Sequence, residues 1–130
     1  MVVVRDIKLS RDFSLSEFAC RDEKRSVYVD AELVQRLQLL RDYFKRPVVI
    51  TSGYRSREYN RSVGGADGSQ HLEGRAADIK VIGVGMEDIA RAAIQAGFKG
   101  VGIYGSFVHV DVRKTLINSC GRQYDVWRGK

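Results

Sequence analysis

The sequence predicts a small mixed fold of short helices and strands in a single domain. Two observations predict it: stripes of apolar residues at helical spacing occur between short runs of β-branched residues, and no repeat or low-complexity linker divides the chain. A length of 130 residues suits one domain that buries a core without disulfide or metal staples. Hydrophobic residues make up 44% and charged residues 29%, which argues against disorder. We therefore expect residues 1–130 to form one unit, and a monomer.

Three segments have the apolar spacing of helices. Asp30 is a suitable N-cap for a helix to about Lys45, because the apolar residues after it fall on one stripe. A second, short helix is predicted over 57–62, and a third over 86–96 with Gly97 as its stop. The stripe of the first helix consists of Leu33, Leu37, Leu40 and Phe44.

Two strands are predicted in the first two thirds of the chain. Residues 48–51, which follow the single proline, form a short β-branched run that is typical of a buried strand. In residues 75–81 the period of two places Ala77 and Ile79 on one face and Asp78 on the other. Asp78 therefore points away from the expected core.

A β-hairpin is predicted near the end of the chain. Residues 101–104 and 107–112 are separated by Gly105 and Ser106, which are typical of a two-residue turn. Alternation places the three valines of the second strand on one face and His109 and Asp111 on the other. We expect the valine face to pack on helices and the His/Asp face to line a cleft.

The charge of the chain does not indicate a nucleic-acid partner. The formal net charge is +6 and the pI is near 9.5, which favours approach to polyanions such as nucleic acid or an anionic cell wall. The basic residues are dispersed, with no run of five and no basic stretch interleaved with aromatics. The hypothesis of a nucleic-acid partner therefore rests on charge alone, and we expect no such partner.

The sequence shows no signal for membrane insertion or secretion, and its two cysteines are isolated. The apolar runs are too short to span a bilayer, and residues 1–6 lack the basic-then-apolar order of a secretory signal. Cys20 and Cys120 have no CxxC partner and can pair only if the fold brings them together. Isolated cysteines are more often buried small apolar residues than a redox or metal pair.

The two histidines each lie in a segment suited to hold a divalent metal. His71 lies in a glycine-rich loop before the strand of Asp78, and His109 lies on another strand, so three ligands can converge. Imidazole and carboxylate are ligands that zinc accepts, and three of them leave a position open for water. Zinc would activate that water and polarise a peptide carbonyl, so amide hydrolysis is the natural reaction. The plain alternative is a polar loop histidine and a hydrogen-bonded strand histidine.

Six motifs occur in order along the chain. They are Ser52-Gly53-Tyr54-Arg55-Ser56, Tyr59-Asn60, Val63-Gly64-Gly65-Ala66, the run from Ser69 to Asp78, Gly102-Ile103-Tyr104, and the run from Phe107 to Arg113. In order and spacing this set resembles the zinc D-Ala-D-Ala carboxypeptidase family, peptidase M15, in its small single-domain branch. The likeness covers about residues 13–113.

The resemblance implies an α+β fold, shared with the Hedgehog signalling domain, in which a small antiparallel sheet with helices on one face carries the metal. It implies a zinc ion held by His71, Asp78 and His109. It also implies a substrate, the D-amino-acid-containing peptides of peptidoglycan, cleaved by carboxypeptidase or endopeptidase action.

The resemblance also implies roles for residues around the metal. Arg55 matches an arginine that grips the substrate carboxylate, a task that suits a planar, permanently charged guanidinium. The alternative for Arg55 is a solvated turn residue. Ser69 and Gln70 are expected to donate or accept hydrogen bonds near the site, or else to brace the loop.

One position departs from the commoner family pattern. Many relatives have Glu or Asp three residues before the last histidine, where this chain has Ser106, and serine cannot take a proton from zinc-bound water efficiently at neutral pH. Asp111, on the same strand face as His109, is the best substitute. It acts either as the general base or as a partner that orients the imidazole. Glu73 is a third candidate, although a residue at such a position is more often solvated.

Other interpretations stay open. A non-catalytic cell-wall binding module that keeps zinc for stability is favoured by Ser106 but opposed by Arg55 and by the three-ligand set, since structural zinc usually has four protein ligands. The place of action is also open: a phage lysin released by lysis, a domain of an exported protein, or a cytoplasmic enzyme that acts on precursors. The tail from Lys114 to Lys130, with Tyr124 and Trp127, either covers the cleft edge or closes the core.

Overall fold

A five-stranded sheet with helices on one face forms the body of the molecule, and this confirms the expected α+β class. The computed structural model describes residues 6–114 and 124–129. The strands are β1 (Lys8–Ser10), β2 (Phe13–Ser14), β3 (Val48–Ser52), β4 (Ala76–Val81), β5 (Gly100–Ile103), β6 (Val108–Asp111) and β7 (Asp125–Arg128). The helices are α1 (Ala31–Phe44), α2 (Arg57–Ser62) and α3 (Met86–Gln95), with short 3-10 helices at Leu15–Phe18 and Gln70–Glu73.

The three predicted helices form where their capping residues place them. The Asp30 side chain accepts a hydrogen bond from the backbone N–H of Glu32 at the start of α1, and Lys45 ends that helix in the left-handed region with φ 54°. The Ser56 hydroxyl accepts from the backbone N–H of Tyr59 and starts α2. Gly97, with φ 92°, follows α3 as predicted.

The large sheet has the strand order β3-β4-β6-β5-β7. The first three neighbouring pairs are antiparallel, including the predicted β5–β6 hairpin, whose tip at Gly105 and Ser106 is closed by a 3.0 Å bond from Tyr104 N to Phe107 O. The expectation of an antiparallel sheet needs one correction, because β7 runs parallel to β5. The end of β6 and the start of β7 both lie beside Gly100 of β5, so the two strands that flank β5 run in opposite directions.

The core lies between the sheet and the helices α1 and α3. Ala77, Ile79, Val108 and Val110 are fully buried there, which confirms that the valine face of the hairpin packs inward. Asp78 and His109 are register partners on the opposite face, so the sheet separates the apolar core from the chemistry.

Two further expectations concern cysteine pairing and membrane-spanning helices. Cys20 is fully buried, whereas Cys120 lies outside the described residues, so their pairing stays untested. Within residues 6–114 and 124–129, no helix has the length and hydropathy that crossing a bilayer requires.

Candidate active site

The three predicted metal ligands meet on the polar face of the sheet. His71 Nε2 and His109 Nδ1 each lie 3.1 Å from Asp78 Oδ1, and one ligand atom from each residue falls within 4.8 Å of the others. All three side chains are buried, with residue exposures of 2% for His71, 5% for Asp78 and 8% for His109. The loop and two strands thus bring together the residues that the sequence singles out.

The His71 ring is oriented by the backbone. Its Nδ1 lies 2.6 Å from the carbonyl oxygen of Gly53, which only accepts hydrogen bonds, so Nδ1 carries the proton and Nε2 keeps its lone pair for the site. The Ser69 hydroxyl accepts from the backbone N–H of His71 and caps the short helix Gln70–Glu73. Gly74, with φ 67°, ends that helix after one turn and leads the chain into β4. His71 therefore has its position set by local turn chemistry.

The His109 ring is oriented by an ionised side chain. Its Nε2 lies 2.7 Å from Asp111 Oδ2, so that nitrogen donates to the carboxylate and Nδ1 keeps its lone pair toward Asp78. Two imidazole lone pairs and a carboxylate oxygen then face one point. These electron-rich atoms repel one another unless a cation or protons lie between them. Two neutral imidazoles and one carboxylate, each imidazole with a hydrogen-bond partner on its outer nitrogen, fit a zinc ion.

Buried charge interactions keep the carboxylates of the site ionised. Burial raises the pKa of Asp78, but protons held between its carboxylate and the His109 and His71 imidazoles outweigh burial and hold that pKa well below its usual range, and a zinc ion at the same point would have the same effect. Burial likewise raises the pKa of Asp111, and hydrogen bonds from Arg113 and His109 lower it further than burial raises it. An ionised Asp78 is the form that binds a metal.

Asp111 lies behind His109 and has no exposed surface. Arg113 grips both of its oxygens, with Nε 2.8 Å from Oδ1 and Nη2 2.7 Å from Oδ2, and the Arg113 backbone N–H adds a third bond. The carboxylate fits into the sheet because Gly100 stands opposite, where any Cβ would overlap it. This geometry fits a carboxylate that orients His109, because Asp111 is buried and is not among the described residues that line the cleft, while its role as general base stays a prediction.

Arg55 connects the candidate metal ligand Asp78 to Ser52 and Asn60. Its Nη2 donates to Asp78 Oδ2 at 3.2 Å, its Nε to Ser52 Oγ at 3.1 Å and its Nη1 to Asn60 Oδ1 at 3.2 Å. A guanidinium has five N–H donors, so these bonds leave two for a ligand. Arg55 is thus no solvated turn residue, because its side chain is 15% exposed and lines the cleft.

A cleft of about 510 Å³ opens above these residues. Its volume is in the range of small-ligand sites. Arg55, His71, Asp78 and His109 line its base. Most residues of the segment 63–70 also line the cleft, and so does an aromatic wall of three residues in contact with one another: Tyr104, Phe107 and Trp127.

The remaining candidates from the sequence occupy different places. Ser69 and Gln70 line the cleft, and Gln70 Oε1 is a buried oxygen without a hydrogen-bond partner among the described residues. Ser106 is exposed at the hairpin tip, and Glu73 is exposed at the end of its 3-10 helix. Neither Ser106 nor Glu73 lines the cleft.

Sequence reasoning assigned no role to Arg113 and left Trp127 undecided between cleft and core. The described part of the tail resolves this, because the Trp127 ring lies 5.3 Å from the His109 ring and lines the cleft. Two signals were available. Arg113 has the same strand parity as Asp111, and Gly102 leaves a gap in β5 beside His109.

Comparison with known proteins agrees with this geometry. The peptidase M15 family model matches residues 11–111, which is most of the chain. The chain belongs to the peptidase M15 family. This confirms the resemblance inferred from the motifs and, at the level of the family, the prediction of a metallopeptidase.

Individual relatives are similar over shorter stretches. The peptidoglycan L,D-endopeptidase MepK of Escherichia coli K12 is 39% identical over 74 residues, which are 52% of this chain and 41% of that protein. The zinc D-Ala-D-Ala carboxypeptidase of Streptomyces albus G is 40% identical over 53 residues, 41% of this chain and 21% of that protein. The chain therefore spans less than half the length of the curated relatives it matches.

A solved structure also resembles the chain. The L-Ala D-Glu endopeptidase ChiX of Serratia marcescens has 25% sequence identity and a TM-score of 0.49, over 65% of this chain and 80% of that one.

Proposed function

We propose that this chain is a zinc peptidase that hydrolyses a peptide bond in the D-amino-acid-containing peptides of peptidoglycan. The observation that carries the proposal is the convergence of His71 Nε2, Asp78 Oδ1 and His109 Nδ1 at the base of an open cleft. Three protein ligands leave a coordination position for water or substrate, as catalytic zinc sites do. The peptidoglycan endopeptidase and the zinc D-Ala-D-Ala carboxypeptidase among the relatives support the choice of substrate.

The reaction is the addition of water across an amide. The water oxygen bonds to the carbonyl carbon, the C–N bond breaks, and a proton passes to the leaving nitrogen, so the products are a carboxylate and an amine. When bound, zinc supplies Lewis acidity toward both the water and the carbonyl.

The chain's own residues bind and orient. Asp111 holds the His109 ring so that Nδ1 faces the site, and Gly53 does the same for Nε2 of His71. Gln70 Oε1, which has no hydrogen-bond partner in the described part of the chain, is an acceptor for a substrate N–H, because an unpaired buried oxygen is costly until a donor reaches it.

Arg55 binds the substrate carboxylate with the two N–H groups that form no hydrogen bond to residues 6–114 or 124–129. Its bond to Asp78 keeps this cation beside the metal ligands, so the carboxylate that it binds lies close to the scissile bond. A terminal carboxylate there corresponds to carboxypeptidase action, and an internal one, such as that of a D-Glu residue, corresponds to endopeptidase action. The peptide released distinguishes these two cases.

The test combines metal analysis with product analysis. Purified protein is expected to contain about one zinc per chain and to cleave isolated peptidoglycan or its stem peptides, with the products identified by mass spectrometry. Release of single terminal D-alanine indicates a carboxypeptidase, and internal cleavage an endopeptidase. Zinc-loaded protein that leaves every such peptide intact contradicts the proposal.

A second function has one observation in its favour. Among the cleft-lining residues that the structure describes, Asp78 is the single carboxylate, so no free acid stands ready to take a proton. A zinc-stabilised binding module for cell-wall peptides would need none. Retention of zinc together with peptidoglycan binding, but without turnover, would select this alternative.

A further inference from the structure

We infer that the C-terminal strand β7 supplies a specificity-determining residue, Trp127, which contacts the substrate residue on the N-terminal side of the scissile bond. The inference rests on the proposed peptidase function and extends it to substrate choice. β7 lies outside residues 11–111, the part that the family model matches, so the indole is a feature of this chain beyond the matched region.

The placement of the indole depends on a missing side chain. Gly102 of β5 is the register partner of His109 on one side and of Trp127 on the other. A Cβ on Gly102 would lie 2.6 Å from indole Cε2 and Nε1, so only glycine lets the ring rest on the strand beside the metal ligand. Both residues that β5 turns toward the site, Gly100 and Gly102, are glycines that make room for a neighbour's side chain.

The indole is held on several sides. Its Nε1–H donates to the Tyr104 hydroxyl at 3.0 Å, and Tyr104 stacks on Phe107 at 4.5 Å between ring centroids. The Arg113 guanidinium carbon lies 5.2 Å from the indole centroid. An aromatic wall fixed in this way loses little conformational entropy when a ligand packs on it.

The strand order gives the wall a direction relative to the scissile bond. Arg55 follows β3, Asp78 lies on β4, His109 on β6, and Trp127 lies beyond β5 on β7. Neighbouring strands are about 4.8 Å apart, so carboxylate clamp, metal ligands and indole follow one another across the sheet. A peptide whose carboxylate contacts Arg55 has its leaving residue on the β3 side. Its acyl residue, N-terminal to the cleaved bond, then lies toward Trp127.

The chemistry of the wall indicates what that acyl residue is. Trp127, Tyr104 and Phe107 offer ring carbon surface, and the polar atoms of the indole and of Tyr104 are bonded to each other. Such a surface favours an aliphatic side chain over glycine at the acyl position, because burial of the aliphatic carbon atoms against the rings stabilises the complex.

The experiment compares two pairs of peptides with wild type and Trp127→Ala. One pair differs in the acyl residue, aliphatic or glycine, and the other in the carboxylate near Arg55, free or amidated. Wild type is expected to prefer the aliphatic peptide about tenfold in kcat/KM, the order of discrimination available to an apolar pocket. Trp127→Ala should remove that preference while zinc content and the preference for the free carboxylate remain. Arg55→Ala should show the reverse pattern.

Val126→Ala is the matched control, because Val126 is on the same strand with its side chain exposed on the other face. It should leave both preferences intact. A Trp127→Ala protein that keeps the acyl preference overturns the inference, as does one that loses activity on the aliphatic and glycine peptides equally while it keeps zinc.

If Trp127→Ala does not fold, Trp127→Gln decides, because it keeps a long side chain over Gly102 without an apolar ring face. Loss of the acyl preference in that variant supports the inference, and its retention overturns it. Wild type without turnover on any peptide removes the proposed function, and the inference with it, which distinguishes the two failures.

Discussion

The two histidines of the proposed zinc site are oriented by different kinds of partner. The backbone carbonyl of Gly53 fixes the His71 ring. The short helix that carries His71 is capped by Ser69 and ended by Gly74, both within three residues of the histidine. Asp111 fixes His109 through a carboxylate, which in turn depends on Arg113. One half of the site is therefore built from main-chain geometry and the other from buried charge.

This difference determines which half responds to substitution. A backbone carbonyl stays in place when side chains change. The orientation of His71 should therefore be lost only through substitutions that shift the backbone. The His109 half depends on an ion pair with a fully buried carboxylate, and removal of one member of a buried pair is far more costly than the pair is worth. We therefore expect the His109 half to be the more sensitive of the two.

The largest effect is expected where a ligand itself is removed. His71→Ala and His109→Ala should each lose stoichiometric zinc and lower peptide hydrolysis by at least about a thousandfold, because two ligands do not retain a catalytic metal. Zinc content by atomic absorption and turnover on a stem peptide test both variants. Full zinc occupancy in both would make the metal-site assignment wrong.

Asp111→Asn tests the charged half without removing a ligand. The amide keeps the shape but loses the charge that holds His109, so zinc affinity or activity should fall by about 10-fold to 100-fold. Zinc titration against a chelator of known affinity measures the first quantity, and turnover at saturating zinc the second. If affinity is unchanged and only turnover falls, Asp111 acts on a proton in the reaction and the orienting role is wrong.

Arg55→Ala separates substrate binding from metal binding. Loss of a charge-assisted carboxylate contact should cost about 1.5–3 kcal/mol of interaction with a free-carboxylate peptide. Zinc should remain, although less tightly held, because the variant also loses the bond to Asp78 Oδ2. Arg55→Lys is the matched control, since it keeps the charge but not the planar fork of donors.

The readout for Arg55 is kcat/KM on a peptide with a free or an amidated C-terminus. If the Arg55→Ala protein distinguishes the two peptides as strongly as the wild type does, another group binds the carboxylate. If wild type itself makes no distinction, the carboxylate near Arg55 is internal, as in an endopeptidase substrate.

Local pattern was enough to predict much of this site. Caps and apolar stripes predict α1 to α3, and alternation along β4 and β6 places Asp78 and His109 on the polar face. Two features depend on contacts between strands, for which the local pattern gave only the strand parity of Arg113 and the glycine at 102. The burial of Asp111 against Arg113 requires the empty face of Gly100, and the position of Trp127 requires a parallel pairing between strands far apart in sequence.

Gly53→Ala tests the backbone half of the comparison. A Cβ there would lie 2.7 Å from the Phe18 backbone, so the chain that carries the carbonyl bonded to His71 must shift. We expect a loss of about 1–3 kcal/mol in the free energy of unfolding, with a smaller loss of zinc affinity than in Asp111→Asn. Denaturant unfolding and zinc titration give the two quantities. A larger loss of affinity than in Asp111→Asn would reverse the ranking of the two halves.

The smallest effect is expected at Ser106, the position where the resemblance to the family led us to look for an acid. Ser106 is exposed at the hairpin tip and lies outside the cleft lining, so Ser106→Ala should change stability by less than about 0.5 kcal/mol and leave kcat within about twofold. The variant Ser106→Glu is the matched comparison, because it introduces an acid at this position on a hairpin that ends beside His109.

Faster hydrolysis by Ser106→Glu would mean that the tip bends toward the substrate during turnover. Unchanged kcat in both variants would mean that proton transfer depends on groups outside the hairpin tip, and a large loss in Ser106→Ala would contradict the placement of this residue outside the reaction.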